Sequence, residues 1–263
     1  MIKYIIKTKG DVSMVSVPVK CPYCGSIDVR KSGKSSTGKQ RYLCDNQDCP
    51  HKTFSESYTY NAYDPKIRDQ IFFSTVNGSG TRATARTLGI AKKTVSEALK
   101  SIALNVWHVN YNYIEAHKDE GITAEIVSVD EVEMDEMWSF VHDKSQQYWL
   151  WWAIDHNTGE PLAFHFGTRE HKNLDELLKL LSPFDIEFVY ADNNFAYENH
   201  MTDSLVVSGK RNTQKIERKH LSLRTWCSRL VRKGIRFSKN HAMHSIVVGL
   251  VINFWFFGHL AWR

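Results

Sequence analysis

Between Cys21 and Cys49 lie four of the chain's five cysteines, as Cys21-Pro-Tyr-Cys24-Gly followed nineteen residues later by Cys44 and then Cys49. So short a segment cannot bury enough apolar surface to fold by itself. A tight turn presenting two thiolates, met by a second pair, can instead close four sulfurs around one tetrahedral zinc ion, whose binding free energy replaces the missing core. Clustering of this kind argues against a framework of disulfides spread along the chain. The spacing therefore predicts a zinc ribbon with an N-terminal extension over residues 1–60, with Cys21, Cys24, Cys44 and Cys49 as ligands. The second pair is separated by four residues where the first is separated by two, and His51 could replace one sulfur. Reduced cysteines packed as small apolar side chains are the plain alternative. The loop between the pairs carries Arg30, Lys31, Lys34, Lys39 and Arg41, which suits a phosphate-facing ribbon or simply a solvated loop.

From Tyr63 to about Ala116 the residues favour helices, interrupted at Asn77 to Gly80 and again near Gly89. The stretch "TRATARTLGIAKKTVSEALKSI" places Ala85, Gly89 and Val95 where a helix-turn-helix needs a small residue, a turn glycine and a core β-branched residue. A DNA-binding domain over residues 61–120 follows, with its second helix starting near Ala91. Its candidate contacts to phosphates or base edges are Arg82, Thr84, Lys92, Lys93, Thr94 and Ser96. An ordinary helical hairpin is the alternative. Lys118 to Thr123 reads as a linker.

Beyond Ala124 the character changes to strands: the acidic stretch, then "YWLWWAI", a turn at "DHNTGE", and "PLAFHFG". A short helix around Leu174 to Leu181, a strand "EFVYAD", a short strand "LVVS" and a long helix from about Thr213 to Lys233 complete a mixed α/β sheet over residues 124–245. The acidic stretch "SVDEVEMDEMWSF" gathers Asp130, Glu131, Glu133, Asp135 and Glu136 in seven positions, although strands disfavour acids and like charges repel. If it is extended, Glu131, Glu133 and Asp135 share one face, and Val132, Met134, Trp138 and Phe140 share the other with Glu136. The acidic row can then offer ligands to a cation, though two-residue steps of roughly 7 Å keep all three from one ion.

Asp192 closes "EFVYAD", and strand ends bordering loops are where α/β sheets position chemistry. A turn or helix-capping aspartate is the alternative there. Between Ser208 and Asn240 there are eleven Lys and Arg and a single acid, Glu217. A helix built for solubility would have spread several acids along itself. Ile216, His220, Leu223, Cys227 and Leu230 recur at helical spacing and would face the sheet, with Glu217 at the edge of that seam. Two aspartates and this glutamate could hold two divalent ions for phosphodiester chemistry, while the basic helix, with Lys215, Arg218, Lys219 and Arg224, holds a polyanion. The net charge of +5 permits a nucleic-acid partner without demanding one. Residues 246–263 form a very apolar segment interrupted by Asn253 and His259, a buried helix or an oligomer contact rather than a membrane anchor. With no signal-peptide pattern at the N-terminus, the expected compartment is the cytoplasm.

These motifs together resemble the transposases of the bacterial insertion sequence one family, among the DDE transposases. "CPYCGS", "GKSSTGKQRYLC" and "GTRATARTLGI" resemble that family's zinc-ribbon and helix-turn-helix region. "EMDEMWSFV", "LLSPFDIEFVYADNNFAYE" and "NTQKIERKHLSLR" resemble its catalytic region. The resemblance covers nearly all of the chain after about Val19. It implies an RNase H-like catalytic domain and selects Asp135 over Glu133 and Glu131 as the first catalytic residue, with Asp192 second and Glu217 third. It further implies structural zinc, catalytic magnesium or manganese in two sites, double-stranded DNA as substrate, and at least a homodimer that holds both element ends. No membrane or small-molecule substrate is implied, and association with the nucleoid follows from DNA binding. "ADNN" departs from the Thr-Asp-Gly-Trp-like stretch usual at the second aspartate. A zinc-containing regulator with a silent catalytic domain, or a structural nucleoid protein, are the rival functions.

Overall fold

The structure, a computed structural model, describes residues 2–7, 12–55, 57–58, 60–117, 126–191, 206–208, 213–231 and 233–261. The chain divides into two compact units, Met1–Gln70 with Leu88–Ile90, and Ile71–Thr87 with Ala91–Arg263.

In the first unit β1 (Ile2–Lys7) and β2 (Val12–Val17) form an antiparallel pair running from Ile2↔Val17 to Lys7↔Val12, which makes up the N-terminal extension. A second, three-stranded antiparallel sheet consists of β3 (Val29–Lys34), β4 (Gln40–Cys44) and β5 (Thr53–Ser55). Its core is Val19, Tyr42 and Phe54 with Cys21, Cys44 and Cys49. Half of that cluster is cysteine, so the apolar residues alone are too few to hold the sheets.

The second unit contains a five-stranded sheet in the order β10-β9-β6-β7-β8. β6 (Val127–Phe140), β7 (Gln147–Asp155) and β8 (Pro161–Gly167) form the antiparallel meander that the turn residues predict. β9 (Phe184–Ala191) and the short β10 (Val206–Ser208) then add parallel to one another on the far side of β6. Three antiparallel strands, a helical crossover and two parallel strands with helices on both faces make the RNase H-like arrangement. β7 explains why both faces must be covered. Its neighbours Trp151 and Trp152 point to opposite sides and are both fully buried, so truncating either would cost ~3–5 kcal/mol.

On one face α5 (His171–Leu180) packs Leu174 and Leu177 against Val132, Met134, Trp151 and Leu162. α4 (Tyr111–His117) contributes Tyr113 and Ile114 to the same cluster. The other face carries α6 (Gln214–Trp226) and α7 (His241–Trp255). There Trp152 meets His220 of α6 and Phe256 just beyond α7, each at ring centroids 5.5 and 5.6 Å apart. α6 is shorter than the helix expected to Lys233, because Cys227 turns to extended backbone (φ −108°, ψ 96°) and a short 3-10 turn follows.

After α1 (Lys66–Val76), α2 (Thr81–Leu88) and α3 (Lys92–Ile102) are joined through Gly89, whose φ of +63° a residue with a side chain rarely adopts. Ala85 and Val95 are buried as a helix-turn-helix requires. α3 packs on α7, so the two helices expected as a domain of their own group for the most part with the five-stranded sheet. The apolar stretch of α7 from Val247 to Asn253 is buried within this unit, which accounts for its hydrophobicity without an oligomer contact. Asn253 interrupts the run for a local reason: its side chain accepts from Trp107 N at 2.8 Å and donates to the Trp107 carbonyl at 2.8 Å. The linker expected at 118–123 lies outside the described residues.

Candidate active site

The acidic face of β6 is resolved into separate tasks. Glu133 is fully buried, and both of its oxygens are used. Oε2 accepts from the backbone N–H of Ile216 in the first turn of α6 at 2.8 Å, and Oε1 accepts from His156 Nδ1 at 2.8 Å. A carboxylate against unpaired first-turn amides answers both their hydrogen-bonding need and the helix dipole. Glu131 accepts from the Tyr190 hydroxyl at 3.2 Å and lies 3.7 Å from His156 Nε2. These two acids thus fasten α6 and β9 to β6.

Asp135, two residues further along the same face, stands in a different setting. Its Oδ1 accepts from Glu136 N at 2.8 Å, and its Oδ2 lies 3.7 Å from His220 Nδ1. His220 Nε2 accepts a 2.7 Å hydrogen bond from the Trp152 indole. Because that indole can only donate, Nε2 carries no proton, and the neutral ring turns its Nδ1–H toward Asp135. Asp135 and Glu217 line one depression of about 430 Å³ together with His220, Leu221, Arg224, Trp138 and Trp149. Glu217 is exposed there, while Ile216, His220, Leu223, Cys227 and Leu230 are buried along the seam that the helical spacing predicts. β9 ends at Ala191, which pairs with Met134 beside Asp135. Asp192 itself lies outside the described residues.

Glu136 also lines this depression and is held by a different partner. It receives Arg169 at 2.7 Å, and that guanidinium stacks over the Trp149 ring, 4.8 Å from its centroid. Residue types alone did not reveal the parts played by His220, Glu133, His156 and Arg169. The one sequence signal for His220 is its place three residues after Glu217, on the next turn of the helix.

The cysteine cluster fits zinc by its own geometry. Cys21 and Cys49 sulfurs are 3.7 Å apart and those of Cys24 and Cys44 are 3.6 Å apart. A tetrahedron with ~2.3 Å zinc–sulfur bonds has edges of about 3.8 Å, whereas a disulfide needs ~2.05 Å. His51 is not part of the cluster: its carbonyl accepts from the Cys49 thiol at 3.0 Å, and its ring lies against Tyr23. Without metal, a backbone hydrogen bond at Ser26 lowers the Cys24 thiol to about 7, while burial pushes Cys44 up to about 12 and raises Cys49. Zinc reverses that burden, since thiolates are the ligands.

The candidate DNA contacts divide. Arg82, Lys92, Lys93 and Arg218 are exposed, and Thr94, Ser96 and Arg224 are partly so. Thr84 is a correction: it is 1% exposed and faces the helical core, where no DNA reaches it. Its position one residue before Ala85 puts it on the inner side of α2. Lys215 donates to the carbonyls of His156 and Asn157, the latter at 3.1 Å, and so ties α6 to the β7–β8 turn. Lys219 lies over the Phe256 ring at 5.3 Å, and burial lowers its pKa. No helix of the described residues is long and apolar enough to cross a membrane.

Comparison with known proteins places these parts. The profile of the IS1 transposase matches residues 128–258, that of the InsA C-terminal domain residues 58–102, and that of the InsA N-terminal domain residues 14–50. The protein InsB of insertion element iso-IS1n from Shigella dysenteriae is 43% identical over 120 residues, which cover 46% of this chain and 92% of InsB. The chain belongs to the IS1 transposase family. InsB of IS1 from Shigella sonnei is 42% identical over 121 residues, covering 46% of this chain and 92% of that protein. InsB of an IS1 copy in Escherichia coli K12 is equally similar, with 72% of its length covered. Among solved structures, the catalytic core domain of the BIV integrase overlaps 48% of this chain and 82% of its own, with 13% identity and a TM-score of 0.33. The simian T-cell lymphotropic virus intasome in complex with PP2A regulatory subunit B56 gamma overlaps 70% and 64%, with 14% identity and a TM-score of 0.35. In this IS1 transposase family chain the zinc ribbon, the helix-turn-helix and the catalytic sheet follow one another in one polypeptide.

Proposed function

We propose that this chain is the working transposase of an insertion sequence. Its ribbon and helix-turn-helix bind the terminal inverted repeats, and Asp135, Asp192 and Glu217 serve strand cleavage and strand transfer. One observation carries the reading: Asp135 of the central strand and Glu217 of the basic helix line the same open depression. Carboxylate oxygens are the hard donors that magnesium and manganese prefer. Two such ions held by the three acids would lower the pKa of an attacking water and neutralise charge on the leaving oxygen.

The chain's own groups do the rest. Glu133 keeps the first turn of α6, and so Glu217, seated against β6. His220 Nδ1 lies 3.7 Å from the Asp135 carboxylate and adds a favourable dipole beside it. Arg218 and Arg224, on the same helix as Glu217, compensate phosphate charge where the strand crosses the depression. Water releases a 3′ hydroxyl at the element end, and that hydroxyl attacks target DNA in the second displacement. Holding both ends requires at least two protomers, in a cytoplasmic, nucleoid-bound assembly.

The test incubates zinc-loaded protein with labelled DNA carrying an element end, in magnesium, manganese or EDTA, beside Glu217→Gln. Metal-dependent cleavage at the end, lost in the variant, is expected. Tight binding of the repeat without cleavage in any metal would sink the reading in favour of a regulator.

A further inference from the structure

A second depression, of about 410 Å³, lies away from the acidic site, between the start of α2, the start of α3 and the segment that follows α6. Five cations line it, Arg82, Lys92, Arg229, Arg236 and Lys239, and none of its lining residues is an acid. Arg229 is the innermost of them. It donates to Ser238 Oγ at 3.1 Å and to the Met243 carbonyl at 2.9 Å, both neutral acceptors, and burial lowers its pKa. A partly buried guanidinium with neutral partners, among four further cations, leaves positive charge that an anion would satisfy.

The backbone adds to this. The loop Gly78-Ser79-Gly80 enters α2; Gly78 packs against the Trp226 carbonyl, whereas a Cβ at Gly80 would meet nothing within 4 Å, so the loop is open to an approaching group at Gly80. The first-turn amides of α2 add the positive end of the helix dipole. On the same rim Ile235 is 92% exposed, an apolar side chain that a sugar could cover.

We propose that this cleft binds the sugar-phosphate backbone of DNA, clamping it between the helix-turn-helix and the segment after the catalytic helix. The inference rests on the transposase reading and adds a site to it. Three of the five cations come from residues 229–239, outside the helix-turn-helix, so a backbone held here is engaged by both parts of the unit at once. The connection to the catalytic depression is short: Arg224 lines one and Cys227 lines the other. A duplex gripped by α2 and α3 would therefore run past the end of α6 toward Glu217. A free phosphate fills far less of so large a cleft than a stretch of backbone does.

The experiment uses the full zinc-loaded chain and a labelled duplex carrying an element end. Affinity is measured against salt for the wild type and for Arg236→Gln/Lys239→Gln, two exposed positions whose change leaves the fold intact by thermal melting. The slope of log K on log salt is expected to fall in magnitude by about 1 to 2, as one or two phosphate contacts are lost. The duplex is then made with single neutral methylphosphonates, one position at a time. At the phosphate in the cleft the wild type loses affinity and the variant loses no more. An unchanged slope, or losses that add at every position, overturns the cleft while leaving DNA binding by the chain intact. A wild type that does not bind the duplex at all overturns the transposase reading, and the cleft with it.

Discussion

Glu133 and Asp135 occupy the same face of one strand two residues apart, yet substituting them should have different consequences. Glu133→Ala leaves the Ile216 N–H buried without an acceptor, which costs ~1–3 kcal/mol. It also removes a negative charge from the start of α6, worth up to ~2 kcal/mol in a partly buried setting. Together the expected loss is about 3 kcal/mol. Glu133→Gln keeps one oxygen for Ile216 and turns its amide N–H toward His156 Nδ1, which can accept in the neutral ring. Only the charge is lost, so the cost should be about 1 kcal/mol. Denaturant titration followed by tryptophan fluorescence reads this directly, because Trp151 and Trp152 are fully buried in the same sheet. Cleavage supplies the second readout: Glu133→Gln should retain activity within roughly an order of magnitude, a ~1.4 kcal/mol effect, while Asp135→Asn and Glu217→Gln should have none. An alanine variant as stable as wild type would refute the clasp. A folded glutamine variant with no cleavage would move Glu133 into the metal-binding set.

Four further outcomes follow. Thr84→Val should stabilise the chain by about 1 kcal/mol and leave DNA affinity unchanged, because the buried Thr84 Oγ1 has no hydrogen-bond partner among the described residues; weakened DNA binding would restore Thr84 as a contact. Chelation should melt the ribbon, and zinc addition should release protons in weakly buffered solution, since burial holds Cys44 and Cys49 above the ordinary thiol range; a ribbon whose circular dichroism ignores EDTA contradicts this. His244 is held at about 3 rather than 6.5, chiefly by burial and then by Arg229 and His241, so the folded state binds fewer protons than the unfolded one in that window. Its contribution is fully present above about pH 6.5 and is lost at ~1.4 kcal/mol per pH unit as pH falls toward 3, and His244→Gln should flatten that dependence in denaturation measured across pH. His220→Phe should orphan the Trp152 indole at ~1–3 kcal/mol and reduce cleavage more than DNA binding; equal losses in both would assign His220 to packing alone.

How much of this was legible in the residues depends on whether a signal was local. The strands β7 and β8 could be read almost to their ends, because a continuous aromatic run bounded by "DHNTGE" leaves few other conformations. Gly89 and the cysteine pairs were legible for the same reason, each being a local demand on backbone or ligand geometry. The inner and outer faces of α2 were harder: Thr84 looks like any polar helix residue until Ala85 fixes which side turns inward. The end of α6 was misplaced for a related reason, since the basic composition continues to Lys239 although the helix stops at Trp226.

The choice between Glu133 and Asp135 was not legible in strand parity at all. Both face α6, and what separates them is the level at which the helix begins. Ile216 arrives opposite Glu133 and consumes it, whereas at Asp135 the helix has advanced by a turn and presents His220 and Glu217. That difference belongs to the docking of two elements more than seventy residues apart, which no local signal in the strand carries. The same docking accounts for four of the five acids that crowd one strand in a basic chain. Glu131 and Glu133 hold neighbouring elements, Glu136 holds Arg169, and Asp135 lies at the depression that Glu217 also lines. The row is tolerated because neighbouring elements engage its charges, and Asp135 with Glu217 lines the depression that a cation could enter.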